Sequence, residues 1–188
     1  MFHLGFSGRK SRYELIGKEL PMERNPRLER PAAQPGRANH PKDLKVQVEK
    51  RITIHRPVRQ VYAFWRNFEN LPRFMGHVKS VQVFDDLHSH WAVKGPAGKD
   101  VEWDAEITSD RENEFISWTS MEKADVENAG SVSFKPAGAA ATEVAVTLAY
   151  NPPAGAVGKG VAQLFGKEPG QEVESDLKKF KEILETGF

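Results

Sequence analysis

The sequence predicts an α+β fold in which a curved antiparallel sheet of about seven strands wraps around a long C-terminal helix. Three observations carry that prediction. Seven segments between Lys45 and Tyr150 alternate apolar and polar residues with a period of two. The links between the later segments are short and rich in turn formers, which makes sequential strands antiparallel neighbours with one wet face. After Asn151 the apolar spacing becomes helical. A sheet with a single apolar face must bury it, and only the helices are available to cover it.

The elements follow in order. Residues 1–44 hold nine basic and five acidic side chains, and Pro21, Pro26, Pro31, Pro35 and Pro41 all fall within them. Proline at that density blocks both helix propagation and strand pairing, so this stretch reads as a flexible, Pro-rich, basic N-terminal extension. Within it Ser11-Arg12-Tyr13-Glu14 has capping-box spacing for a short helix to Leu20. The domain proper is expected at 45–188. Val46, Val48, Ile52 and Ile54 share one parity and make the first strand. Arg56-Pro57 starts a helix with proline at its first position. Val61, Phe64, Trp65 and Phe68 follow at i, i+3, i+4 and i+7. Asn70 is placed to cap a second short helix that Gly76 ends.

Six strands come next, marked by Val81/Val83, Trp91/Val93, Val101/Trp103/Ala105/Ile107, Ile116/Trp118, Val132/Phe134 and Val144/Val146/Leu148/Tyr150. The expected turns are Asp85-Asp86, Gly95 to Gly98, Arg111 to Asn113, Asn128 to Gly130 and Pro136 to Gly138. Val157, Val161, Leu164 and Phe165 form one helical stripe, and Val173, Leu177, Phe180 and Leu184 form another. Pro169 opens the second, Glu172 and Glu174 occupy its first turns, lysines come later and Gly187 stops it.

Composition excludes several functions. The 188 residues carry a formal net charge of +1, which excludes a generally basic nucleic-acid binder. There is no cysteine, so disulfide scaffolds, zinc ribbons and thiol nucleophiles are excluded. No apolar run approaches a membrane span and the N-terminus lacks the pattern of a secretory signal, so a cytoplasmic location is expected.

The run from Phe64 to Met75, Ser89-His90-Trp91, Trp103 to Ile107, Asn128 to Val132 and Leu164 to Pro169 together resemble the polyketide cyclase/dehydrase group of the START/Bet v 1-like superfamily, relatives of the coenzyme Q-binding proteins. The resemblance implies the helix-grip fold. It also implies an apolar cavity between sheet and C-terminal helix for a hydrophobic small molecule such as a lipid, a quinone or a polyketide-like chain. It does not imply one activity.

Trp91, Trp103, Trp118, Phe134 and Tyr150 share the parity of the core valines, and three tryptophans on one sheet face are many for plain filling. Phe74, Met75, Leu164, Phe165, Leu177 and Phe180 are expected to face them from the helices, with His77 near the mouth. These twelve are the candidate ligand-lining residues. Glu102, Asp104 and Glu106 have outward parity, where a carboxylate sequesters nothing from water. His88 and His90 are two ligands at most, short of a metal site. Gly160 to Glu168 has five residues between its glycines and no terminal Ser or Thr, so it is no phosphate loop. No catalytic set, metal or cofactor is expected. The leading function is non-catalytic binding or carrying of a hydrophobic small molecule. The alternatives are a polyketide-type aromatase/cyclase or dehydratase, and a protein or RNA interaction module.

Overall fold

The computed structural model describes residues 44–95, 98, 100–151 and 169–187. The expected N-terminal extension and the stripe holding Leu164 and Phe165 lie outside the described residues. The elements are β1 (Val46–Ile54), α1 (Val58–Arg66), a 3-10 helix (Phe68–Arg73), β2 (Val78–Val83), β3 (His88–Lys94), β4 (Asp100–Arg111), β5 (Phe115–Ser120), β6 (Asn128–Pro136), β7 (Thr142–Tyr150) and α2 (Pro169–Thr186). The strands form one seven-stranded sheet in the order β1-β7-β6-β5-β4-β3-β2, and every neighbouring pair is antiparallel. This curled half-barrel with a C-terminal helix is the helix-grip fold.

β1 and β2 are consecutive strands yet occupy opposite edges, so the chain between them must cross the sheet. It does so as α1 and the 3-10 helix, whose aromatic residues land on the inner face. Tyr62 and Trp65 meet Phe134 of β6 at 5.6 and 6.4 Å, and Phe68 meets Trp91 and Trp118 at 5.7 and 6.2 Å. Phe180 of α2 closes the layer, stacking on Phe74 at 4.7 Å and meeting the edge of Trp65 at 5.1 Å. Aromatic pairs in these tilted and edge-on arrangements add about 0.5–1.5 kcal/mol beyond their burial. α2 is also moored to the first edge strand: Lys181 Nζ donates to the Thr53 carbonyl at 2.9 Å. At its far end the His55 N–H donates to Glu185 at 2.7 Å, which holds that carboxyl below its usual range.

The expected alternation holds cleanly along β4, where Ala105 and Ile107 are buried, Trp103 is half-buried, and Glu102, Asp104 and Glu106 are exposed. His90 pairs with Asp104 across the outer face at 2.8 Å, which accounts for both as wet-face groups. Four local expectations are corrected. Pro57 is the cap of α1 instead of its first residue, with its carbonyl accepting from the Gln60 N–H. Asn67, not Asn70, caps the second helix by accepting from the Glu69 N–H, while Asn70 donates to the Phe64 carbonyl. Val83 follows the parity of Val81 yet is 37% exposed, because nothing among the described residues covers that end of β2, where Phe84 and Leu87 are exposed too.

Asn128 to Gly130 is the fourth correction, since it is strand and not turn. Gly130 stands directly opposite Trp118, and a Cβ there would lie only 2.3 Å from the indole. The glycine therefore serves the close approach of a flat ring across the sheet. A glycine closely following an asparagine looks like a turn until its cross-strand neighbour is known.

Candidate functional site

Between the inner sheet face and α2 the described residues enclose a cavity of about 110 Å³. An apolar cavity of about 150 Å³ accepts benzene, whereas drug-sized ligands occupy about 300–1,000 Å³. The space therefore matches about one ring or a short aliphatic segment. Its walls are almost entirely hydrocarbon, and all four of the chain's tryptophans, Trp65, Trp91, Trp103 and Trp118, contribute to them.

Each wall has a local cause. Register places Trp91 directly opposite Trp103, and their rings stack at 6.0 Å with 10° between planes. Trp118 is held flat over Gly130, as above. Trp65 sits in the last turn of α1, and Met75 and His77 follow the 3-10 helix. From α2, Glu172, Val173, Asp176 and Leu177 face the cavity together, because positions four apart share a helix face. The indole N–H of Trp91 donates to Ser89 Oγ at 2.9 Å. Those of Trp65 and Trp103 are buried with no acceptor among the described residues. Burial pushes the Tyr150 phenol, on the β7 wall, above its ordinary value.

One end of the cavity is polar. His77 Nδ1 lies 3.5 Å from Asp176 Oδ2 and 3.8 Å from Glu172 Oε1. The side chains are 16%, 5% and 14% exposed for His77, Asp176 and Glu172 respectively, so water screens the cluster poorly. Asp176 is fixed through its other oxygen, which accepts from the Gly76 N–H at 3.2 Å. The loop is pinned from the sheet as well. Lys94 Nζ donates to the Gly76 carbonyl at 3.1 Å, and the Lys94 N–H donates to the His77 carbonyl at 2.9 Å.

Of the twelve candidate residues, Phe74, Met75, His77, Trp91, Trp103, Trp118, Tyr150 and Leu177 are brought together on the cavity wall. Phe134 and Phe180 are buried behind it in the aromatic layer with Tyr62, Trp65 and Phe74. Leu164 and Phe165 lie outside the described residues. Sequence reasoning missed Glu172, taken only for its place in the helix dipole, and Asp176, which it did not single out. A signal existed for the second. Asp176 falls inside the stripe of Val173, Leu177 and Phe180, and a carboxylate on a buried helix face rarely lacks a specific role.

Comparison with known proteins places this geometry among relatives. The family described as polyketide cyclase / dehydrase and lipid transport matches residues 54–178. An uncharacterized 17.2 kDa protein of Streptomyces lincolnensis is 31% identical over 142 residues, which is 74% of this chain and 89% of that protein. A crystal structure from Deinococcus radiodurans is 38% identical with a TM-score of 0.63, covering 77% of this chain and 100% of that one. A START superfamily protein from Mycobacterium smegmatis shares the fold at 18% identity, with a TM-score of 0.58 over 73% of this chain and 98% of its own.

Proposed function

The chain belongs to the polyketide cyclase/dehydrase and lipid transport family, and we propose that it binds or carries a hydrophobic small molecule by inserting a ring-sized apolar part into the tryptophan-lined cavity. Membership supports a ligand-binding or polyketide-cyclase role. The single observation that carries the finer reading is the use of all four tryptophans for one cavity wall. Two of them add a polar preference. A ligand oxygen that accepted from the buried N–H of Trp65 or Trp103 would relieve a group whose unsatisfied burial costs about 1–3 kcal/mol. A flat molecule with one carbonyl or ether oxygen fits both features.

A ring that buries about 150–250 Å² of apolar surface gains about 4–6 kcal/mol at 25 cal/mol per Å². Alone that corresponds to millimolar to tens of micromolar dissociation constants before association costs are subtracted. Tighter binding requires the oxygen contact or further ligand surface outside the cavity. The test is tryptophan fluorescence with a panel of quinones, fatty acids and polyphenols. Saturable quenching that weakens in Leu177→Trp, which narrows the cavity, is expected. Linear quenching up to the solubility limit for the whole panel would remove the proposal.

A second reading has one observation in its favour. A histidine flanked by two carboxyl groups at the edge of an apolar cavity is placed to transfer a proton in an aromatase/cyclase or dehydratase reaction on a polyketide-like chain. Turnover of a model substrate that is lost in His77→Ala would favour it. Saturable binding without turnover favours the carrier.

A further inference from the structure

We propose that His77, Glu172 and Asp176 form a binding site for a divalent transition-metal ion of the zinc or manganese(II) kind, set in the wall of the apolar cavity. The three candidate ligand atoms all lie within 4.8 Å of one another. Around a tetrahedral ion with bonds of about 2.1 Å, ligand atoms stand roughly 3.4 Å apart. The distances from His77 Nδ1, 3.5 Å to Asp176 and 3.8 Å to Glu172, exceed that by a few tenths of an ångström. They are close to the spacing of ligands around a single ion.

Three further observations support an ion at this place. The first is orientation. Asp176 gives one oxygen to the Gly76 N–H at 3.2 Å and turns the other toward His77, which is how outer-shell hydrogen bonds aim a metal-binding carboxylate. The second is burial, because two carboxyl groups and an imidazole converge at a poorly hydrated position. The nearby cation, Lys179, is half exposed and stands 4.0 Å from Asp176. A dication pairs with both carboxyl groups, and the nitrogen and oxygen donors suit zinc and manganese. The third is convergence, since His77 comes from the loop before β2 and the carboxylates from adjacent turns of α2, on one face. Of the other histidine–carboxylate pairs, His90 with Asp104 and Glu102 and His88 with Asp85 involve exposed carboxylates, and His55 beside Glu185 is itself 70% exposed.

Three protein ligands leave at least one coordination position open, and all three side chains line the cavity. The ion would present that position to a ligand oxygen (a carbonyl, phenolate or carboxylate) while the hydrocarbon walls hold the rest. The ion site itself stands on side-chain geometry and does not require the apolar ligand proposed above.

The test is calorimetric titration of the full chain with zinc chloride and with manganese(II) chloride, after chelator treatment. Visible absorption on adding cobalt(II) reports the geometry. One ion per chain is expected, with affinity lowered at least about tenfold in His77→Ala and in Glu172→Gln, and unchanged in His90→Ala. Both altered positions are partly exposed, and circular dichroism of each variant shows whether it has folded. Absence of binding up to millimolar metal, or equal affinity in the wild type and a folded His77→Ala, would overturn the proposal. Tryptophan quenching by quinones, measured in chelator, reads the cavity separately, so failure of one does not masquerade as failure of the other.

Discussion

Gly130→Ala adds one methyl group at the place where sheet and cavity are most closely coupled. The new Cβ would lie 2.3, 2.6 and 2.9 Å from three atoms of the Trp118 ring, where ordinary contact begins at 3.4 Å. The indole must therefore retreat by about 1 Å, and a rigid ring cannot bend away as a flexible chain end would. Overpacking of this kind costs about 1–3 kcal/mol. Restricting the unfolded chain by replacing glycine returns about 0.4–1 kcal/mol, because the backbone here is extended. The net loss is about 1–2 kcal/mol, or roughly 3–7 °C in Tm for a domain of this size. Trp118 also lines the cavity of about 110 Å³, so the displaced ring moves into ligand space. Losing about 50 Å² of ligand contact weakens binding by about 1.3 kcal/mol, close to tenfold. Thermal unfolding and quinone quenching of the same variant give both readings. Trp118→Phe in the Gly130→Ala background should recover stability in a non-additive way. An unchanged Tm together with unchanged quenching would refute the coupling between glycine, indole and cavity.

Three further outcomes are expected. Tyr62 donates to Asp110 at 2.5 Å, and desolvation with that hydrogen bond pushes its phenol up to about 12. Because the folded value lies above the unfolded one near 10, its stabilisation is complete below about pH 10 and is lost as pH rises toward about 12. Phenolate absorbance during alkaline titration should show this late step, and Tyr62→Phe should remove it. Phe180→Ala empties a fully buried site against Phe64, Trp65 and Phe74 and should cost about 3–5 kcal/mol in denaturant unfolding. Asp104→Asn, on the wet face opposite His90, should change ligand affinity by less than about 0.5 kcal/mol, and a hundredfold loss of activity would instead put chemistry on that face.

What the sequence alone determined is what short-range periodicity encodes. The parity of Val101, Trp103, Ala105 and Ile107 assigned both faces of β4, and a one-residue slip would have reversed every one of them. The helical spacing of Val173, Leu177 and Phe180 likewise named the buried face of α2 before any contact was known. Long-range proximity decided the rest. Gly130 reads as a turn residue until register sets it against Trp118. Phe134 and Phe180 share the parity or stripe of wall residues, yet α1 lies over them and leaves the cavity to residues farther along the groove. His77 is separated from Glu172 and Asp176 by most of the domain, and neither spacing nor composition links them. They meet because β2 is one edge of a sheet whose curl brings its first residues against the opening turns of α2. Periodicity records which face a side chain takes, while closure of the sheet around the helix decides which side chains share that face at one point, and that closure is what assembles the cavity and its polar end.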